Sequence, residues 1–128
     1  MKSCRLTITT VADGRENSIV RDGEMDLSVG KVSVVYREEN ASVRILLQGE
    51  GATVERIGDY SLRLNLRRGE FSTGEIGLGG SSGGIETYAH KIDYAATENS
   101  LLLSMHYDLI ISGETQKIKL RLLGRYKD

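Results

Sequence analysis

Hydrophobic and polar residues alternate along most of this chain with a period of two, the pattern typical of β-strands that bury one face. The clearest run places Leu62, Leu64 and Leu66 between polar residues. Three further runs have apolar positions at Leu6 and Ile8, at Met25, Leu27 and Val29, and at Ile118, Leu120 and Leu122. No window has the spacing of an amphipathic helix, so we expect at most a short helical turn at residues 72–77.

Glycine, asparagine and aspartate separate these runs at the spacing of an antiparallel meander. The turn signals include Asp13-Gly14, Asp22-Gly23, Glu39-Asn40, Gly58-Asp59 and Ser112-Gly113. The chain has no proline to blunt the edge of a sheet, and long hairpins with unblunted edges favour closure. We therefore predict an all-β fold, a single antiparallel up-and-down barrel of about 8–10 strands. Because no linker divides the chain, residues 1–128 are expected to form one domain.

The glycine-rich segment at residues 77–84 is the only low-complexity stretch. It contains Gly80-Ser81-Ser82-Gly83-Gly84, a match to the Gly-x-Ser-x-Gly motif of hydrolases. That motif positions a nucleophile only where a parallel strand turns sharply into a helix, and here another strand follows. We interpret the segment as one flexible connection between strands, a mobile hairpin loop at the barrel rim.

Charge and targeting signals exclude several classes of function. Seventeen basic and eighteen acidic residues give a net charge of −1, so no overall field draws the protein to nucleic acid or anionic lipid. The amino terminus lacks the apolar core of a signal peptide, and no apolar run approaches the roughly 20 residues of a membrane span. The lone Cys4 cannot form an intramolecular disulfide. We expect a cytoplasmic protein without a membrane partner.

The two histidines are the only imidazoles available for a metal site. In an unbroken strand, His90 lies on the same face as Tyr88, an inward or pocket-lining face, whereas His106 lies on the opposite side of the sheet. A bulge between Ala89 and Lys91 would reverse this inference. The carboxylates are scattered over turns and outward positions. We therefore predict no metal site, no cofactor and no catalytic residues, and a protein that is not an enzyme.

Tyrosines are the residues best suited to a buried ligand, because each offers an apolar ring with a hydroxyl at its tip. The candidate ligand-binding residues are Tyr36, Tyr88, His90 and Tyr94. The alternative is that these are ordinary core or rim side chains whose hydroxyls reach water.

A basic stripe of Lys117, Lys119 and Arg121 lies on the outward positions of the last strand, and barrel closure would place Arg5 nearby. Such a stripe can follow a phosphate backbone. Aromatic residues that could stack on bases are missing from this predicted face, which argues against nucleic acid as a partner. Solvated lysines that discourage aggregation are the preferred explanation.

The carboxy-terminal half has a strand pattern that resembles the bacterial YwiB-like family, also called domain of unknown function 1934. The segments that carry the resemblance are residues 85–94 (IETYAHKIDY), 101–109 (LLLSMHYDL), 112–114 (SGE) and 118–122 (IKLRL), with Tyr36-Arg37-Glu38-Glu39 and Arg56-Ile57-Gly58 nearer the amino terminus. The chain departs from the family just before Ile85, where relatives carry aromatic residues and a proline followed by glycine. The resemblance implies a calycin-like barrel and brings no known activity.

Two functions remain open at this point. The leading hypothesis is a non-enzymatic barrel that binds a small apolar ligand, which predicts a continuous internal cavity of a few hundred Å³. The alternative is a filled barrel that serves as a structural or protein-interaction module, for example as a homodimer through an outer sheet face. Whether the barrel is hollow or filled decides between them.

Overall fold

The computed structural model describes residues 1–127 and contains ten strands within that range. They are β1 (Lys2–Ala12), β2 (Arg15–Ser28), β3 (Lys31–Glu38), β4 (Ala41–Gln48), β5 (Gly51–Gly58), β6 (Ser61–Arg67), β7 (Phe71–Leu78), β8 (Ser81–Ala96), β9 (Ser100–Ile111) and β10 (Glu114–Tyr126). Each strand pairs antiparallel with its neighbours in the chain, and β10 pairs with β1 to close the barrel. The predicted all-β, up-and-down barrel is confirmed. No helix among the described residues is long and apolar enough to cross a lipid bilayer.

The alternation of apolar and polar residues determines which side chains face the interior. Leu64 and Leu66 are buried on β6, while the intervening Asn65 is exposed. The same alternation buries Leu6 and Ile8 on β1. Val29 breaks the pattern, because it lies in the turn between β2 and β3 and is fully exposed.

Residues 72–77, for which a helical turn was expected, lie in β7 and pair with β8. The glycine-rich segment is equally regular. Gly79 and Gly80 adopt φ angles of +55° and +85° and form a two-residue turn of the I′ type, beyond which Leu78 pairs with Ser81. The expected helical turn is wrong, because hairpin pairing satisfies the backbone throughout residues 72–77. The expectation that the glycine-rich segment connects two strands as a hairpin is confirmed.

The middle of the barrel is filled by side chains. Seven large residues have essentially no accessible surface: Leu6, Ile45, Leu47, Leu101, Leu103, Met105 and Leu122. A side chain without accessible surface touches neither bulk water nor an internal void large enough for a water molecule. The expectation of a continuous internal cavity is therefore wrong for this part of the barrel.

One end of the barrel is sealed, and we call it the closed end; it carries both termini and the turn between β2 and β3. The Tyr126 hydroxyl accepts a hydrogen bond from the Leu27 amide at 3.1 Å and donates to the Met25 carbonyl at 3.2 Å. A Cβ atom at Gly124 would lie 3.0 Å from both Leu6 and Met25. This packing leaves no space behind Tyr126.

Candidate functional site

The opposite end, which we call the open end, carries the β1–β2 and β9–β10 turns. Strand β2 pairs with β1 from Arg15 onward but with β3 only from Gly23 onward. The first half of β2 therefore extends past β3, and inward side chains at this level have fewer neighbours. Four apolar residues near this end are only partly buried: Ala12, Ile19, Leu109 and Leu120.

An open cleft of about 490 Å³ lies at this end. Its lining residues are Asp13, Leu109, Ile111, Ser112, Glu114, Thr115 and Gln116, and we call it the open-end cleft. The Gln116 Nε2 atom donates to Asp13 Oδ2 at 3.2 Å, which connects the β1–β2 turn to the first residues of β10. The cleft thus combines an apolar wall with a hydrogen-bonded polar edge.

Two buried tyrosines lie on inward positions of β3 and β9 in the same half of the barrel. Burial raises the pKa of Tyr107 to about 12. The pKa of Tyr36 is also raised, first by burial and then by the Glu38 carboxylate, while Arg21 and Arg56 oppose the increase. Both phenols are therefore protonated at neutral pH and can donate hydrogen bonds. We call Arg21, Tyr36, Glu38 and Tyr107 the polar corner.

Arg56, at the edge of the polar corner, stabilises the β5–β6 turn. Its guanidinium lies 2.8 Å from an Asp59 carboxylate oxygen and donates to the Tyr60 carbonyl at 2.8 Å. It also packs 3.8 Å from the centroid of the Tyr60 ring. The hydrogen bond from Arg56 lowers the pKa of Asp59. These contacts give Arg56 a structural role without any ligand.

The four residues predicted to bind a ligand do not form one site. Tyr36 lies in the polar corner, whereas Tyr94 donates a hydrogen bond to the Gly49 carbonyl at 3.0 Å, near the turn between β4 and β5. Tyr88 and His90 lie on the outer surface, with their ring centroids 4.8 Å apart. The structure therefore assigns these four residues to three separate places.

A bulge on β8 causes this separation. The pairing between β8 and β9 shifts between Ala89 and Lys91. Residues on either side of the shift follow opposite parity, so Tyr88 and His90 face outward while Tyr94 faces inward. The expectation that His90 shares an inward face with Tyr88 and Tyr94 is wrong, because an extra residue reverses the alternation.

The same bulge brings both histidines to the outer face. The His90 Nε2 atom lies 2.9 Å from Asp108 Oδ2, and His106 pairs with Lys91 on one side and Lys119 on the other. The prediction that the two imidazoles lie on opposite sides of the sheet is wrong. In the described range, no group of three His, Cys, Asp or Glu residues is arranged to hold a metal ion.

Arg21 and the residues of the open-end cleft were not among the site residues predicted from the sequence. Arg21 could have been identified, because the alternation that buries Met25 also assigns Arg21 to the inward face of β2. The cleft had no comparable signal. Asp13 and Gln116 are separated by 103 positions in the chain and meet only because β1 pairs with β10.

Comparison with known proteins gives one family and one similar structure. The family model described as a domain of unknown function (DUF1934) matches residues 4–122. The crystal structure of the YwiB protein from Bacillus subtilis superimposes with a TM-score of 0.84 and 16% sequence identity, covering 99% of this chain and 93% of that chain. Among curated proteins, none matches significantly. The structural likeness shows a shared barrel fold.

Proposed function

We propose that this chain, which belongs to the DUF1934 family of domains of unknown function, binds a small molecule at the open end of its barrel. Calycin-like barrels commonly hold one small ligand. The filled interior leaves no room for a ligand in the middle of the barrel, so the observation that carries the proposal is the open-end cleft of about 490 Å³. This volume lies within the range of small-molecule sites.

The lining of the cleft suggests the chemistry of the ligand. Leu109 and Ile111 offer an apolar surface, and Gln116 offers an amide at its edge. The Asp13 and Glu114 carboxylates also line the cleft and would repel an anion. We therefore propose a neutral or cationic amphipathic ligand, bound without chemical conversion.

Titration with the neutral fluorophore N-phenyl-1-naphthylamine tests this proposal. We expect its fluorescence to rise on binding, and Ile111→Arg to weaken that binding by about tenfold or more, because a guanidinium would occupy the apolar wall. Leu102→Arg is the matched control, since Leu102 lies on the outer surface of the same strand. Absence of binding to the unmodified protein, or equal weakening in both variants, would overturn the proposal. Native mass spectrometry of the purified protein would then identify a bound natural ligand and the oligomeric state.

A second candidate function is an interaction module that forms a homodimer through the outer surface. One aligned row of five outward residues crosses β2, β1, β10, β9 and β8, and we call it the outer apolar row: Val20, Thr7, Leu123, Leu102 and Ala95. Its four interstrand steps span roughly 19 Å, at about 4.8 Å each. Exposed apolar patches of this kind often mark protein contacts.

Sedimentation equilibrium tests the dimer. If the outer apolar row is the interface, the unmodified protein is dimeric and Leu102→Glu makes it monomeric. Leu78→Glu is the control, because Leu78 is similarly exposed but lies outside the row. A monomeric unmodified protein would exclude this function.

We also propose a cytoplasmic location. Its support is Cys4, a single free thiol buried in the barrel core, which suits a reducing compartment. Fractionation of the producing cells, followed by detection of the protein, tests this location.

A further inference from the structure

Three planar side chains lie next to one another on the outer surface of β7 and β8. Phe71 pairs with Tyr88 across the two strands, and their ring centroids lie 4.7 Å apart. His90 continues the series at 4.8 Å from Tyr88. Phe71 is 69% exposed, although burying its ring would be favourable. We call these three residues the outer aromatic row.

Lysine and arginine side chains on β8 and β10 extend the same surface. Lys91, His106 and Lys119 lie side by side on three consecutive strands, and Lys117 lies opposite Asp108 in the adjacent row. Arg121 follows Lys119 on the outward side of β10. We call these four residues the outer basic group: Lys91, Lys117, Lys119 and Arg121. The pKa of His106 is lowered, first by burial and then by Lys119 and Lys91, which agrees with a positive local potential.

Asp93 and Asp108 do not cancel the charge around the outer basic group, while Glu86 and Glu16 lie at its edges. Asp108 contacts His90, and Asp93 lies 3.8 Å from Lys91 and 3.9 Å from Arg68. Across residues 88–93, 104–108 and 117–121, four cations therefore face two carboxylates, a net charge of +2 with neutral histidines. The surface is locally basic although the whole chain carries a charge of −1.

The juxtaposition of exposed rings and cations is the chemistry that recognises single-stranded nucleic acid. Bases stack on aromatic side chains, while lysine and arginine contact the phosphates without reading sequence. From Phe71 on β7 to Lys117 on β10 there are three interstrand steps, roughly 14 Å at about 4.8 Å each, enough for a few nucleotides. We propose that this outer face of β7–β10 binds single-stranded nucleic acid, with Phe71 and Tyr88 stacking on bases and the outer basic group contacting phosphates.

The β8 bulge changes the earlier expectation about nucleic acid. In the sequence, the basic stripe on β10, at residues 117–121, has no aromatic residue of its own to stack on bases. An unbroken β8 would turn Tyr88 and His90 inward, whereas the bulge turns them toward Lys117 and Lys119. The proposal is independent of the open-end cleft, which lies at the end of the barrel and not on this face.

Fluorescence anisotropy with labelled oligothymidylate and oligouridylate of about 12 nucleotides tests the proposal and separates DNA from RNA. We expect binding near 20 mM salt that weakens steeply toward about 200 mM. The double variant Lys117→Gln/Lys119→Gln should weaken binding by about tenfold. It should also reduce the salt slope, the change in the logarithm of the binding constant with the logarithm of salt concentration, by about 1.4, at roughly 0.7 for each lost phosphate contact on a single strand. Phe71→Ala should weaken binding by about fivefold or more and leave the slope unchanged, because stacking does not release counterions.

Arg63→Gln provides the control with the same type of charge change. Arg63 is an exposed cation on β6 and lies outside the outer aromatic row and outer basic group. We expect its binding to match that of the unmodified protein.

Failure of both oligonucleotides to bind near 20 mM salt overturns the proposal, as does equal weakening by Arg63→Gln and the double lysine variant. If Phe71→Ala leaves the affinity unchanged, the stacking site is refuted. Because Phe71 is largely exposed, its truncation should not unfold the barrel.

Discussion

Leu102 and Leu103 are consecutive leucines on β9 that face opposite sides of the barrel wall. Leu103 is 0% exposed and pairs with Tyr94 and Leu122, whereas Leu102 is 53% exposed on the outer apolar row. Truncating each to alanine removes the same atoms from the same strand. The difference between Leu103→Ala and Leu102→Ala therefore measures how tightly the barrel interior is filled.

The expected magnitude follows from the burial of the two side chains. Removing three buried carbons costs about 2.4 kcal/mol, at roughly 0.8 kcal/mol each. The cavity left behind adds about 24 cal/mol for each Å³ that the surrounding side chains do not fill, and comparable leucine truncations cost about 2.7–5.0 kcal/mol. We expect Leu103→Ala to lower the free energy of unfolding by about 3–4 kcal/mol. For Leu102→Ala, with about half of its surface already in water, we expect about 1 kcal/mol or less.

Urea unfolding followed by circular dichroism and tyrosine fluorescence measures both values, since the chain has six tyrosines and no tryptophan. The dependence of the free energy on urea should be equal in both variants and the unmodified protein, so that the midpoints can be compared directly. A cost below about 1.5 kcal/mol for Leu103→Ala, or one no larger than for Leu102→Ala, would refute a filled interior.

Three other measurements test separate parts of the structure. Gly23→Ala should destabilise the barrel by about 1–3 kcal/mol, because the new Cβ would lie 2.5 Å from the Val35 carbonyl oxygen. Gly84→Ala is the control, since a Cβ at Gly84 would have no atom within 4 Å. Equal unfolding midpoints for the two variants would contradict this packing. Burial raises the pKa of the Cys4 thiol and keeps reagents away from it, so Ellman's reagent should label Cys4 only after the protein unfolds. Rapid labelling of the native protein would show instead that the closed end opens. The folded-state pKa of His106 is lowered, so the unfolded chain binds more protons as pH falls through about 6.5, and stability decreases there. We expect His106→Gln to flatten the change in urea midpoint between about pH 7.5 and about pH 5.5, and an unchanged difference would refute this assignment.

The strands and their buried faces could be predicted from the sequence because they are set by local alternation. Leu64 and Leu66 had to share a face whatever the rest of the chain did, since successive side chains of a strand point to opposite sides. Closure was predictable for a similar reason, because a proline-free meander with long hairpins leaves edges that pairing of β1 with β10 removes.

The tertiary structure alone decided where the candidate residues of the site lie. The bulge after Ala89 arises from how β8 pairs with β9, and that single extra residue moved Tyr88 and His90 from the predicted interior to the outer surface. Whether the interior is filled depends on how side chains from all ten strands pack across the barrel, as at Leu103. The residue pattern of a single strand does not specify the distance to the side chains on the opposite wall. The alternation along the chain thus determined which residues of a strand face the same side of the sheet, while the pairing between strands determined which of these residues contact one another.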